Sequence, residues 1–454
     1  MGDARGGGGG TALVVASLSA SVPRPRLIVV TAGDSDRLSG DDAHLLAVES
    51  AAIFGHTLKL MILEPSDQAL DVDALRAEVA QRLPSQPRAT QLVDTSTSQP
   101  RWVEAANFDI RSHVRRVPTT ECVTREDMWR VVGGLMSNHL DRARPLWTFD
   151  VIGPFADGRE AIAARIHHAM CDGIAAVRFL DAVLWDAHPV APARAGAGPT
   201  VRTGTLTEMW RMPEVVAREL GHRARSPFDL PVTAARELAF TVAPLAEMKA
   251  IGGSRPRHAT VNDVLLAVIT GGLRTWRATG GASTRRLRAQ IPVSLHHRDE
   301  KASNLGNRDS FINVDLPLAV DDPLARLDAI SDQTRASKSR GDAKELYDLF
   351  HALGRVRAIG DAARRFASSA QEFSVAISNV PGPAAPIAVA QRGVTHLFSS
   401  SEPAMHHALR ISAISCASDV GIGLCVDPLA LPDVAELAAA IERSYAELHS
   451  AALG

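Results

Sequence analysis

The segment "RIHHAMCDGIAAVRFL", residues 165–180, constrains the fold most because its hydrophobic period changes partway along. The residues leading into it, "EAIAARIHH", alternate in a way typical of a β-strand with two distinct faces. Further on, helical spacing relates Ile174, Val177, Leu180 and Leu184, so a helix is predicted from about residue 173. The chain is therefore expected to contain a strand that turns directly into a helix.

Polar residues occupy the junction of these two elements. Asp172 suits the N-cap of the helix, and Gly173 lets the chain turn closely. His167 and His168 end the strand, and alternation points them to opposite faces, so they cannot share one role. A neutral imidazole there could accept a proton from a hydroxyl that attacks a carbonyl.

Other chemistries for this junction are less well supported by the residues. Adjacent histidines on opposite faces of a strand would not chelate one metal ion together, so we expect no metal. Cys171 is an alternative thiol nucleophile, although no flanking signature accompanies it. The pairs His296-His297 and His406-His407 lack a following Asp-Gly, so the combination with Asp-Gly makes this segment informative.

Composition narrows the functional classes. Lys and Arg (49) nearly balance Asp and Glu (51), and only 4% of residues are aromatic, which argues against a broad nucleic-acid surface. The four cysteines have no CxxC spacing, which fits a reducing cytosol and neither a zinc site nor a disulfide framework. No run of apolar residues is long enough for a transmembrane helix.

The organisation predicted for the 454 residues is α/β, in two halves. Residues 1–35 are Gly-rich at the start and are predicted to form a flexible extension, with a short signal-peptide core in "ALVVASLSA" as the alternative. An N-terminal domain is expected over 36–186, an Ala/Pro/Gly-rich linker over 187–225 and a C-terminal domain over 226–454. No GxGxxG or Walker loop opens a helix, which argues against a nucleotide-binding Rossmann domain.

Several motifs now resemble one family, the bacterial wax ester synthase/diacylglycerol acyltransferases. HHxxxDG, present as His167 to Gly173, indicates the wider superfamily of CoA-dependent acyltransferases that includes chloramphenicol acetyltransferase and condensation domains. The narrower resemblance rests on companion motifs in the family's order: "DRARPLW" (141–147), "TVNDVLLAVITGGLRTW" (260–276), "QIPVSL", "NLGNRDSFINVDLP" and "SNVPGP".

The resemblance implies two chloramphenicol-acetyltransferase-like domains, each a mixed sheet with flanking helices, which meet at a channel. In this family the second histidine is catalytic, here His168, and it would deprotonate an alcohol that attacks the acyl-CoA thioester without an acyl-enzyme intermediate. His167 and Asp172 would support its geometry, and Gly173 would shape the turn.

The companion motifs supply candidate contacts of the substrate channel. These candidates are Asn262, Asp263, Asn304, Asn307 and Ser378. Asp263 also completes a Thr-x-x-Asp capping box, which would make it structural. Pro145, Leu146 and Trp147 are expected to pack in the core, and the residues around Cys416 and Ala417 are smaller than the family's aromatic-Gly pair, which bears on acyl-chain length.

The function predicted is transfer of a long-chain acyl group from acyl-CoA to diacylglycerol, with long-chain alcohols as a second acceptor class. The alternatives are an acyltransferase for a small non-lipid acceptor and an inactive lipid-binding protein. The predicted enzyme needs no cofactor beyond its co-substrate acyl-CoA, whose phosphates require Arg or Lys side chains that the sequence does not identify. It is expected in the cytoplasm, peripherally associated with a membrane or lipid body, because its substrates are lipids.

Overall fold

The computed structural model describes most of the chain between residues 36 and 454. The described ranges are 36–96, 99–118, 124–186, 226–278, 287–294, 309–340 and 373–454. Within them, two six-stranded sheets and one two-stranded hairpin are flanked by helices. The predicted α/β class, with a mixed sheet in each half, is confirmed.

The first sheet surrounds the strand that ends in the histidine pair. Its strands are β1 (His56–Leu63), β4 (Val114–Arg116), β5 (Trp147–Ile152), β6 (Ala161–His167), β11 (Ala388–Val389) and β12 (Arg392–Ser401). Their spatial order is β11-β12-β1-β6-β5-β4, and the pairs are antiparallel except for β4 with β5. The remaining strands of this half, β2 (Gln91–Asp94) and β3 (Arg101–Glu104), form the hairpin.

Four α-helices precede residue 187 in the described part of the chain. They are α1 (Gly40–Ala47), α2 (Val72–Arg82), α3 (Arg125–Met136) and α4 (Gly173–Val183). At the start of α3, Thr124 and Asp127 form a reciprocal capping box. None of the described helices combines the length and apolarity needed to cross a bilayer.

The second sheet is built from later strands. Its strands are β7 (Glu237–Pro244), β8 (Leu287–Ser294), β9 (Asp309–Leu316), β10 (Val375–Val380), β13 (Leu409–Cys416) and β14 (Asp419–Val426). The order is β7-β14-β13-β10-β8-β9, with β10 parallel to both of its neighbours. The helices of this half are α5 (Leu245–Ser254), α6 (Val261–Ala278), α7 (Pro323–Arg340) and α8 (Val434–Leu453).

The first sheet is buried on both faces, as the alternation of β1 makes clear. Leu58 and Leu60 belong to a core shared with the second sheet, whereas Met61 and Leu63 pack with α2 and α4. β6 follows the same rule, because Ala163 joins the first core and its neighbours join the second. Polar groups on a strand that is buried on both faces need hydrogen-bond partners. The ends of the strands are therefore the places where functional polar groups are expected.

The first sheet includes a segment from late in the chain. β11 and β12 lie beyond residue 226, yet they pair within the first sheet, where β12 runs antiparallel to β1. β12 also packs against β13 and β14 of the second sheet. The division of the chain at a linker over residues 187–225 stays a prediction. β11 and β12 come after that linker in the sequence, yet they belong to the first sheet.

Trp147 anchors the first half beneath the histidine strand. Its ring is fully buried, stacks on His113 at 4.5 Å between centroids and lies edge-on to Phe179 at 5.7 Å. Its Nε1 donates a hydrogen bond to the carbonyl oxygen of Ala89 at 2.9 Å. The expectation that this residue packs in the core is confirmed.

Replacement of Trp147 tests this packing. We expect Trp147→Ala to lower the free energy of unfolding by about 3–5 kcal/mol, because it leaves a large cavity and an unpaired buried carbonyl. Trp147→Phe keeps the stacking and loses only the hydrogen bond, so a smaller loss is expected. Urea denaturation measures both, and a Trp147→Ala loss below about 1 kcal/mol would contradict the assignment.

Candidate active site

The turn between β6 and α4 holds the predicted catalytic residues. The carbonyl oxygen of His167 accepts hydrogen bonds from the N–H groups of Met170 (2.9 Å) and Cys171 (3.2 Å). Asp172 is the N-cap of α4, and its Oδ1 accepts from the N–H of Ala175 at 2.7 Å. The predicted strand, turn and N-cap are confirmed, except that β6 ends at His167 and His168 is the first residue of the turn.

His167 has both ring nitrogens engaged. Nδ1 accepts a hydrogen bond from the N–H of Ala169 at 3.0 Å, so the ring proton is on Nε2. Nε2 donates it to Oε1 of Glu49 at 2.7 Å. The ring is only 1% exposed. His167 therefore has no free nitrogen with which to accept a proton from a substrate.

Glu49, which sequence reasoning missed, fixes this ring. It lies between α1 and β1, and its Oε1 also accepts from Nη2 of Arg142 at 2.9 Å. Burial raises the pKa of Glu49, but the hydrogen bonds from His167 and Arg142 outweigh it, and the pKa lies below its usual value. Glu49 thus stays ionised as the acceptor for His167. Nothing in "VESAAIFGH" marks it, because its partner is 118 residues away.

Gly55 brings the backbone against the same histidines. Its φ of +71° is in the left-handed region, and a Cβ at this position would lie 2.3 Å from Nε2 of His167. Its carbonyl oxygen accepts a hydrogen bond from the N–H of His168 at 2.7 Å. The loop before β1 therefore fixes the position of both histidines, and only glycine fits at its end.

His168 differs from His167 in its burial and in the hydrogen bonding of its ring. Its side chain is partly buried, and its ring forms no hydrogen bond with the described residues. Burial lowers its pKa to about 3, and the positive charges of Arg410 and Lys59 act in the same direction. The imidazole is therefore neutral at physiological pH, with nitrogens available to a ligand.

A buried cation lies beside the motif. Lys59, within β1, is 1% exposed and donates a hydrogen bond from Nζ to Oγ of Ser399 at 3.0 Å. Burial lowers its pKa to about 8, while the negative charge of Asp172 acts in the opposite direction. Burial also raises the pKa of the Cys171 thiol, which stays protonated and is a poor nucleophile.

The second sheet meets this turn at the end of β10. A Cβ on Gly173 would lie 2.9 Å from Cγ2 of Val380, so only glycine allows β10 to approach α4 this closely. By alternation Ser378 shares the face of Val380. Ser378 donates a hydrogen bond from Oγ to Oγ of Ser412, its partner on β13, at 3.1 Å. The face of the second sheet near the histidine turn is therefore polar.

The other predicted channel residues are placed differently. Both carboxylate oxygens of Asp263 are engaged, one in a capping box with Thr260 and the other with Oγ1 of Thr334 at 2.6 Å. Asp263 is 2% exposed, which makes its role structural, while Asn262 is partly buried at the start of α6. Asn304 and Asn307 lie outside the described residues.

Comparison with known proteins agrees with this architecture. The family model "Wax ester synthase/diacylglycerol acyltransferase catalytic domain" matches residues 38–209, and "WS/DGAT C-terminal domain" matches residues 305–449. The chain is thus an acyltransferase enzyme. It belongs to the wax ester synthase/diacylglycerol acyltransferase family, as the motifs predicted.

Relatives match along nearly the whole chain. A putative diacylglycerol O-acyltransferase of Mycobacterium tuberculosis (strain H37Rv) is 29% identical, with 92% of this chain and 96% of that protein covered. A probable diacylglycerol O-acyltransferase of the same strain, tgs1, is also 29% identical, with 84% and 88% covered.

Solved structures share the fold. A wax ester synthase/diacylglycerol acyltransferase from Marinobacter aquaeolei VT8 superposes with a TM-score of 0.70 at 24% identity, covering 92% of this chain and 99% of that one. The first condensation domain of the CDA synthetase gives a TM-score of 0.56 at 14% identity, covering 92% and 96%. At these identities the likeness concerns the fold alone.

Neutral buried histidines make stability depend on pH. The pKa of His168 is lowered to about 3 and that of His113 to about 4, both mainly by burial, and burial also lowers the pKa of His56. Below the ordinary histidine pKa of about 6.5 the unfolded chain binds protons that the folded chain does not, so stability falls as pH decreases.

We therefore expect the free energy of unfolding to fall by roughly 1–2 kcal/mol per histidine between pH 7.5 and pH 5. Urea midpoints at the two pH values measure the change. His113→Phe keeps an aromatic ring in the stack and removes one titrating group, so it should reduce the pH dependence. An unchanged midpoint at pH 5 in the wild-type protein would contradict these lowered pKa values.

Proposed function

We propose that the enzyme transfers a long-chain acyl group from acyl-CoA to the hydroxyl of diacylglycerol, with His168 as general base. The observation that carries the proposal is the contrast between the two histidines. His167 has both nitrogens bonded, whereas His168 is neutral and its ring has no hydrogen-bond partner among the described residues. Of the two imidazoles, only that of His168 can accept a proton from a substrate hydroxyl.

The proposed reaction is a direct displacement at the thioester. His168 takes the hydroxyl proton while the hydroxyl oxygen attacks the thioester carbon, which gives a tetrahedral oxyanion. The intermediate collapses as its carbon–sulfur bond breaks, and CoA leaves as a thiol after taking the proton from His168. No acyl-enzyme forms, which agrees with the protonated state of the buried Cys171 thiol.

Polar groups around the histidine turn suit the negative charge that develops. The hydroxyl of Ser378 lies on the face of β10 whose end meets Gly173, and the charge of Arg410 acts on the His168 ring. Donors already oriented toward a developing oxyanion stabilise it without reorganisation. A serine hydroxyl has one proton, so Ser378 can donate to the oxyanion when Ser412 donates to Ser378 instead of accepting from it. We propose Ser378 in that arrangement as a candidate donor, with Asn262 as a candidate contact of the channel.

The acceptor is assigned from the relatives. Two relatives that match most of the chain are described as diacylglycerol O-acyltransferases, and the family name includes wax ester synthesis. Diacylglycerol is therefore the proposed acceptor and long-chain alcohols are a second class. Acyl-CoA serves as co-substrate without a further cofactor. Both lipids partition into bilayers, so we propose that the enzyme works at a membrane or lipid-body surface.

His168→Ala tests the proposed base. With oleoyl-CoA and diacylglycerol, hexadecanol or short alcohols as acceptors, free thiol reports turnover. We expect wild-type turnover with diacylglycerol and a loss of about 10²- to 10⁴-fold in His168→Ala, the contribution typical of a positioned base. His406→Ala removes an exposed histidine from a pair that lacks Asp-Gly, and it should keep wild-type activity.

The outcomes separate the alternatives. Equal thiol release by wild type and His168→Ala with every acceptor would overturn the enzymatic role of His168. Turnover restricted to short polar alcohols would favour an acyltransferase for small acceptors instead. Absence of turnover in both proteins, with lipid still bound, would favour the inactive lipid-binding protein.

The pH dependence of the rate tests the protonation state. Since burial lowers the pKa of His168 to about 3, the base is already neutral throughout pH 5–8. We expect kcat/KM to stay level across that range, provided that fluorescence shows the protein folded at each pH. A tenfold fall per pH unit beginning near the ordinary pKa of about 6.5 would contradict the proposal.

A further inference from the structure

The segment 49–55, which we term the support loop, holds both histidines from one side. Glu49 at its start accepts the proton-bearing Nε2 of His167, and Gly55 at its end accepts the backbone N–H of His168. Within the loop, Ser50 and Ile53 form a two-way backbone bridge. The placement of both rings thus depends on where this loop lies.

Glu402 holds the support loop from outside the first half. It follows β12, and its side chain is 9% exposed. Its carboxylate accepts the N–H of Phe54 at 3.0 Å and 2.9 Å from the two oxygens, and it also accepts the N–H of Gly55. Both donors belong to peptide units next to the glycine that contacts the histidines. Glu402 therefore fixes the loop at the point where it touches them.

Arg236 completes the attachment from a third segment. It precedes β7, its side chain is fully buried, and its Nη2 lies 3.5 Å from Oε2 of Glu402. The same guanidinium donates to the carbonyl oxygen of Ala52 and lies over the Phe54 ring, 5.1 Å from the centroid. One cation thus contacts the loop backbone, a loop side chain and the carboxylate that binds the loop.

The placement of these charges indicates a positioning role. An ionised pair taken out of water is a weak source of net stability, because desolvation offsets much of the attraction. What the pair provides is directional: charge-assisted hydrogen bonds to particular N–H and C=O groups of one loop. Burial raises the pKa of Glu402, whereas the N–H groups of Phe54 and Gly55 and the charge of Arg236 oppose that shift.

We propose that Glu402 and Arg236 are positioning residues for His168, which act by holding the support loop against the histidine turn. Glu402 directly follows β12, which belongs to the first sheet, and Arg236 directly precedes β7, the edge strand of the second sheet. The orientation of the base is thereby coupled to the assembly of the two sheets. The inference rests on the proposed role of His168.

Two variants of Glu402 test the proposal. Glu402→Gln keeps the shape but loses the charge and places an amide N–H₂ among backbone donors. Glu402→Asp keeps the charge and withdraws the oxygens by one methylene. For both we expect kcat to fall by about 10- to 100-fold, since small displacements of a catalytic group have effects of that size. KM for oleoyl-CoA and for diacylglycerol should change by less than about twofold, because neither substrate contact is altered.

Asp427→Asn is the matched control. Asp427 is also a fully buried carboxylate at a strand end, and it accepts the N–H of Leu429 at 2.9 Å and that of Thr233, but it does not contact the support loop. We expect it to reduce stability and to leave kcat per folded molecule near the wild-type value. An equal loss of kcat in Asp427→Asn and the Glu402 variants would overturn the positioning role.

A double mutant adds a readout that a merely structural residue would not change. Glu49→Gln alters the same loop at its other end, so its effect on kcat and that of Glu402→Gln should be less than additive when combined. Full additivity would contradict action through one loop. Wild-type kcat in both Glu402 variants, with His168→Ala inactive, would overturn this inference alone, whereas an active His168→Ala would overturn the proposed base.

Discussion

The hydrogen bond between His167 and Glu49 is the interaction on which the rest of the site depends. It fixes the proton of one imidazole on Nε2, because Nδ1 already accepts the N–H of Ala169. With His167 immobilised, the next residue is placed by its backbone alone, and the ring of His168 keeps its nitrogens for a substrate. Of the two identical side chains, His167 thus supports the geometry and His168 is the proposed base. Burial keeps that base neutral, so it is ready to accept a proton without first losing one.

The architecture explains how the position of this base is held between the two sheets. The strand β12 pairs with β1 in the first sheet and packs against β13 and β14 in the second. Glu402, at its end, reaches the support loop, and β10 approaches from the second sheet to contact Gly173. The histidine turn is therefore held by elements from both sheets. Displacing either sheet would move the turn, which is why a buried charge pair distant from the motif in the sequence bears on the proposed catalysis.

The sequence pattern predicted those parts of the structure that depend on residues close together in the chain. Alternation in β6, helical spacing in α4 and the N-cap at Asp172 depend on residues within one or two turns, and all were predicted correctly. The residue spacing also predicted the capping box at Asp263, but it left a ligand role open. In the structure the second carboxylate oxygen of Asp263 accepts a hydrogen bond from Thr334. Glu49, Lys59, Arg236 and Glu402 could not be predicted, because each meets its partner only through sheet pairing or loop packing. Their own neighbours in the sequence carry no signal of it.

Two adjacent histidines differ in the hydrogen bonding of their ring nitrogens, and nitrogen NMR of the ¹⁵N-histidine-labelled enzyme measures this difference directly. His167→Gln and His168→Gln spectra assign the two rings. We expect His167 to be the Nε2–H tautomer and His168 to remain neutral from pH 8 down to pH 5, since burial lowers the pKa of His168 to about 3. An ordinary titration of His168 near pH 6.5, or an Nδ1–H tautomer at His167, would contradict this expectation.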